Sequence, residues 1–167
     1  PSGHQPDDYI VERLNCDSHD ARKIPLTITR HKKTKLDGTA NLLLYAYGCY
    51  GASMGPGFSS SRLSLINRNI IWVTAHVRGG MERGMSFWQE GKMLNKKNTF
   101  EDYISSAKFL IEKKYTGEGK IIGMGGSAGG LLMGAVVNQA PELFLGMIMA
   151  VPFVDTLTTN LNHLLPL

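Results

Sequence analysis

Cysteine is scarce in this chain: its 167 residues hold two, Cys16 and Cys49. Two cysteines make no disulfide framework. Reduced thiols in a cytoplasmic protein are the simpler reading, with a single bridge left open. Long apolar runs are missing too. None approaches the ~20 residues of a membrane helix, so no membrane partner is expected. The first residues, Pro1 to Pro6, have neither the apolar core nor the cleavage pattern of a signal peptide. They also lack an initiator Met, so the chain is expected to begin after processing or inside a longer protein. Cys and His never cluster at metal-ligand spacing, and neither a metal nor another cofactor is expected. Charge of one sign is not in large excess, the formal net charge being +4. The basic cluster His31-Lys32-Lys33-Thr34-Lys35 runs into the turn signal Asp37-Gly38. It reads as a solvated connection between strands. A nucleic-acid binder would interleave basic residues with aromatic or helical readers. That pattern is missing, and nucleic acid is not expected as a partner.

What the chain does have is a core's worth of apolar residues, 43% of the total. That suits one globular domain over residues 1–167. Tyr9 to Leu14 alternates in strand fashion, Asp17 to Asp20 reads as a turn, and Ile24 to Thr29 as a second, antiparallel strand. Asn41 to Tyr47 and Ile70 to Ala75 are apolar runs of buried-strand type. Ser61 to Asn67 could be helical, with Ser59 or Ser60 as cap. Asn98-Thr99 could cap a helix carrying Phe100, Tyr103, Ile104, Ala107 and Leu110 on one face, with Asp102 completing a capping arrangement. A last apolar run, Leu145 to Val151, closes at Pro152. Antiparallel strands followed by alternating strands and helices predict an α/β domain, its sheet mostly parallel and covered by helices on both faces. Sites in such sheets lie beyond the carboxyl ends of the strands. Tyr47, Arg78 and Ser127 fall there.

Gly125-Gly126-Ser127-Ala128-Gly129 is the most informative stretch. An apolar strand-like run, Lys120 to Met124, precedes it, and a helix-like run, Leu131 to Val137, follows. A G-x-S-x-G turn in that context is a nucleophile elbow: a strained serine held out at the sheet edge. Side chains two residues either side of the serine would collide, which explains glycine at 125 and 129. A tight strand–helix packing turn is the competing reading, but five glycines between Gly123 and Gly130 exceed what such a turn requires. Ser127 is therefore a candidate acyl-transfer nucleophile, and the Ala128 N–H, opening the helix, a candidate oxyanion donor. Tyr47 closes a strand before Gly48. On the residues alone it is either a strand-end aromatic packed on the core, the favoured reading, or a second donor through its hydroxyl.

The general base is harder to find. The chain order for this turn type is Ser, then Asp or Glu, then His. After Ser127 come Glu142, Asp155 and His163. Asp155 reads as a strand-end polar residue and His163 as part of a tail. His76 precedes the serine, the wrong order, and is read as structural.

Several ordered segments resemble the prolyl oligopeptidase family of serine peptidases. They are Leu44 to Ser53, His76-Val77-Arg78-Gly79-Gly80, Gly91 to Phe100 and Gly125 to Gly134. Phe58 to Leu65, Val151 to Asp155 and Thr158-Thr159 resemble the oligopeptidase B (protease II) branch. The resemblance implies an α/β-hydrolase fold, here the N-terminal part of a catalytic domain cut before its last strands. It implies Ser127 as nucleophile and the Tyr47 hydroxyl and Ala128 N–H as oxyanion hole. It further implies a cytoplasmic enzyme that cleaves short peptides after Arg or Lys. The triad Asp and His would then lie beyond Leu167, and a β-propeller before Pro1. Of the acidic residues that select basic side chains, those in the loop after the tyrosine motif would fall at Gly55 and Gly57, which carry no charge, and those after Thr158-Thr159 beyond Leu167. The isolated chain is accordingly expected to be inactive, and its cut sheet edge to promote self-association. An esterase or lipase on the same fold, or a non-catalytic hydrolase-like module, are the alternatives.

Overall fold

The structure, a computed structural model, describes residues 3–55 and 57–165. A hairpin opens the fold. Strand β1 (Tyr9–Asp17) pairs antiparallel with β2 (Lys23–His31), from Tyr9 opposite His31 to Asp17 opposite Lys23. Then come β3 (Leu42–Tyr45), helix α1 (Ser60–Ile66), β4 (Ile71–Ala75), a short helix α2 (Met85–Gln89) and α3 (Lys97–Glu112). Strand β5 (Ile121–Gly126), α4 (Ala128–Gln139), β6 (Phe144–Ala150) and α5 (Thr156–Asn160) complete the described elements. The six strands form one sheet in the order β1-β2-β4-β3-β5-β6. Strands β4, β3, β5 and β6 run parallel, and β2 joins β4 antiparallel. The β3 run is shorter than expected: Tyr47 and Gly48 lie past its end, in the loop above the sheet.

Two-residue periodicity decides what each face buries. Ile24, Leu26 and Ile28 of β2, Leu42 and Leu44 of β3, Ile71 and Val73 of β4 and Ile121 of β5 belong to one core. Tyr103, Ala107 and Leu110 of α3 and Leu132, Met133 and Val136 of α4 close that core from outside. Residues of the opposite phase, Leu43 and Trp72, meet Ile66 of α1 in a smaller cluster on the other face. Helices thus lie on both faces, the α3/α4 side being the more heavily packed.

Three local expectations are corrected. Helix α3 starts at Lys97 and has no side-chain cap. The Thr99 hydroxyl instead donates to Arg78 O at 2.8 Å and Gly91 O at 3.3 Å. Asp102 is taken by Arg78. At α1 the N-cap is Ser59, but its hydroxyl pairs with that of Ser61 at 2.8 Å and caps no backbone N–H. Asp155 is not a strand-end residue: it caps α5, accepting from the Thr158 N–H at 3.2 Å.

Candidate active site

The turn at Ser127 joins β5 directly to α4. Ser127 has φ 51° and ψ −118°, a conformation that costs a non-glycine residue about 1–3 kcal/mol. Three backbone bonds hold it. The Ser127 N–H donates to Ala150 O at 2.9 Å, and its carbonyl accepts from Gly130 N–H and Phe153 N–H, each at 2.9 Å. Close approach explains the glycines on either side. A Cβ on Gly125 would lie 2.7 Å from the Gly129 carbonyl carbon. One on Gly129 would lie 2.9 Å from Ala46 O and 3.3 Å from Tyr47 Cα, and one on Gly130 2.5 Å from Pro152. The glycines let α4 descend onto the ends of β3 and β6 while Ser127 stays exposed.

Tyr47 is half-buried, its ring centroid 6.5 Å from that of the exposed Tyr50. Burial pushes the phenol pKa up, and the neighbouring Cys49, Tyr50 and Tyr45 add to the rise. The nearby Ser127 side chain pulls it partly back. The Tyr47 ring packs beside the elbow, a Cβ on Gly129 lying 3.5 Å from its Cδ2. Ala128 is the first residue of α4, and among the described residues no backbone carbonyl accepts from its N–H. That N–H is one of the unpaired donors at the positive end of the helix dipole.

The loop carrying Tyr47 is fastened from below. Gly48 has φ 67°, a left-handed conformation that glycine adopts freely. A Cβ there would meet Thr99 Cγ2 at 2.5 Å and Val77 Cγ2 at 2.7 Å. The Lys96 ammonium donates to the Gly48 carbonyl, and Gly51 N–H donates to Gly79 O at 2.9 Å. Beneath this corner lies the buried Arg78. Its guanidinium meets Asp102 at 2.6 Å and Asp20 at 2.6 Å, tying α3 and the β1–β2 turn to the end of β4. Burial alone would lower the Arg78 pKa, but the hydrogen bonds it donates to Asp102 and Asp20 raise it above its ordinary value. Sequence reasoning placed Arg78 at a strand end but missed its partners, because they come from segments 24 and 58 positions away. Lys96 carried no signal beyond its place in the Gly91–Phe100 motif.

His76 is buried between Thr27 Oγ1, 2.8 Å from its Nε2, and Glu82 Oε1, 3.2 Å from its Nδ1. His163 is exposed in the turns after α5. Among the described residues no histidine hydrogen-bonds the Ser127 side chain. Gly55 and Gly57 border a cavity of about 260 Å³ under α1, with Tyr9, Phe58 and Trp72 in its wall. No acidic residue lines it among those described, and Ser127 is not part of it. Cys16 and Cys49 are both free thiols. Among the described residues no cluster of His, Cys, Asp and Glu could hold a metal, and no helix is long and apolar enough to cross a membrane.

A mostly parallel sheet with a strand–serine–helix elbow at its carboxyl edge defines an α/β-hydrolase fold. Within that class the chain belongs to the prolyl oligopeptidase family, which it matches over residues 56–167. It is 45% identical over 166 residues to dipeptidyl aminopeptidase BI of Pseudoxanthomonas mexicana, covering 99% of this chain and 23% of that protein. It is 47% identical over 159 residues to protease 2 of Moraxella lacunata, covering 95% of this chain and 23% of that protein. Oligopeptidase B from Leishmania major superimposes with a TM-score of 0.91 at 43% identity, covering 95% of this chain and 22% of that one. The chain thus spans under a quarter of the length of the relatives it matches.

Proposed function

We propose that this chain is part of the catalytic domain of a serine oligopeptidase that hydrolyses short peptides through an acyl-enzyme on Ser127. The observation that carries the proposal is the strained Ser127 elbow at the head of α4, with Tyr47 packed beside it against Gly129. Ser127 Oγ attacks the scissile carbonyl and loses its proton to a base. The carbonyl oxygen becomes an oxyanion, received by the Tyr47 hydroxyl and the Ala128 N–H. Such donors act because they are already oriented and partly shielded from water. Collapse expels the amine, protonated by the conjugate acid of the base, and water then attacks the acyl-enzyme by the same route. The base and the acid that orients it come from residues outside 1–167. A β-propeller and the remaining part of the catalytic domain lie outside this segment as well. The enzyme works in the cytoplasm.

Cleavage after Arg or Lys is the proposed preference, supported by the likeness to protease 2 and oligopeptidase B. Gly55 and Gly57 supply no carboxylate for it, so the acidic group that receives the basic side chain sits elsewhere. The test uses the intact protein that carries this segment. Ser127→Ala is expected to lower turnover of an Arg-containing peptide amide by on the order of 10⁶-fold. Near-normal turnover in that variant would remove the assignment. Faster hydrolysis of a simple aryl ester than of the peptide amide would favour an esterase. Release of N-terminal dipeptides would instead align the protein with its dipeptidyl aminopeptidase relative.

A further inference from the structure

We infer that Lys96 is a positioning residue for the Tyr47 hydroxyl, acting through the Gly48 carbonyl; this rests on the oxyanion role proposed for Tyr47. Tyr47 hangs on the peptide that leads into Gly48, so whatever fixes Gly48 sets the direction of the phenol. Gly48 is in a left-handed conformation and is wedged against Val77 and Thr99. Packing of that kind fixes where the residue sits. The orientation of the peptide that follows depends on what its carbonyl binds. The Gly48 carbonyl accepts from Lys96 Nζ.

Lys96 is committed to this contact. It immediately precedes α3, so the helix that packs on the core also sets the root of its side chain. The side chain is partly buried, and among the described residues no carboxylate pairs with its ammonium. Burial lowers its pKa, and the nearby Cys49 thiol offsets part of that fall. A half-buried ammonium without a carboxylate is costly. Here it is spent on one carbonyl, next to the residue that carries the candidate oxyanion hydroxyl. A charge-assisted bond is roughly twice as strong as a neutral one, which suits a group that must not swing as the oxyanion forms.

The test is a double-mutant cycle on kcat in the intact protein, with Lys96→Met, Tyr47→Phe and the pair. Tyr47→Phe is expected to lower kcat about 10²-fold, the usual loss of an oxyanion donor. Lys96→Met is expected to lower kcat about tenfold with KM little changed, because positioning degrades the donor without deleting it. In the Tyr47→Phe background Lys96→Met is expected to cost almost nothing more, since residues that act through one group are not additive. A further full tenfold loss in that background overturns the inference while leaving the Tyr47 role standing. Unchanged kcat in Lys96→Met does the same. Unchanged kcat in Tyr47→Phe overturns the oxyanion reading and this inference with it. If Lys96→Met fails to fold by circular dichroism, Lys96→Leu, which likewise removes the donor, is carried through the same cycle and read by the same outcomes.

Discussion

Arg78 and Asp102 form a wholly buried ion pair, Nη2 to Oδ1 at 2.6 Å, with Nε also donating to Oδ2 at 2.9 Å. Asp102 Oδ2 further accepts from the Arg78 backbone N–H at 2.9 Å, and Asp102 Oδ1 from the Ser18 hydroxyl. One carboxylate therefore fixes both the side chain and the main chain of Arg78, just past the β4 end. The Arg78 carbonyl in turn accepts from Thr99, and the neighbouring Gly79 lies against Gly48. A continuous path of packed groups joins this pair to the loop that carries Tyr47.

Removing Asp102 leaves the buried guanidinium with only the partly exposed Asp20 as a close counter-charge, and breaking a buried pair costs about 3–5 kcal/mol. Asp102→Ala is expected to destabilise the fold by that amount. Asp20→Ala, whose carboxylate is 40% exposed, is expected to cost about 1 kcal/mol or less. Urea unfolding of the two variants checks the ordering. Equal midpoints would show that the buried pair does not anchor the fold.

The elbow was legible because its signals are contiguous: strand, Ser127, helix and the glycines sit within one window of sequence. The strands were legible for the same reason, through apolar runs and alternation, and the β1–β2 hairpin came out in the expected pairing. The network under the site was not. Asp102 stands three residues after Thr99, the spacing of a capping box, and local reasoning assigned it that task. In the fold Arg78 competes for the same carboxylate, and a buried guanidinium outranks a helix-end N–H. The helices α2 and α5, of five residues each, are too short for periodicity to show. Asp155 was seen, but its N-cap role depends on a helix that the sequence does not announce.

Gly129 tests the close approach at the elbow. A methyl group there would press on Ala46 O and on the Tyr47 backbone, neither of which is a flexible side-chain end. Gly129→Ala is expected to cost about 1–3 kcal/mol of stability. It is also expected to reduce kcat in the intact enzyme more than KM, because the shift falls on Tyr47. Gly134→Ala is the control, since its Cβ would sit 3.6 Å from Val154 in ordinary contact. Steady-state kinetics of the two variants decides the matter: equal kcat values would remove the link between Gly129 and Tyr47.

Glu82 predicts an acid limb to stability. Burial would raise its carboxyl pKa, but hydrogen bonds from His76 and the Met54 N–H outweigh burial and hold it below the ordinary value. A depressed folded pKa favours the ionised carboxylate in the native state. The stabilisation is then present above the unfolded glutamate pKa, about 4.3, and is lost as pH falls through the lower folded value. Thermal melts of wild type and Glu82→Gln across that range check it. The wild type is expected to lose stability more steeply on acidification, and parallel curves would show that Glu82 contributes no linkage.

The β6 edge predicts the behaviour of the 167-residue chain on its own. Strand β6 pairs with β5 on one side, and in the described sheet it is the outermost strand. Leu145 is 61% exposed on it and Val151, just past its end, 85%, with Ile148 and Met149 also open to solvent. A long apolar edge is a template for pairing with another chain, and patches of this kind favour association. The isolated chain is therefore expected to self-associate at micromolar concentration, measured by light scattering. A double substitution, Leu145→Lys with Met149→Lys, places charge along the edge and is expected to shift the population toward monomer. A monodisperse wild-type monomer at those concentrations would show that the edge is shielded in solution.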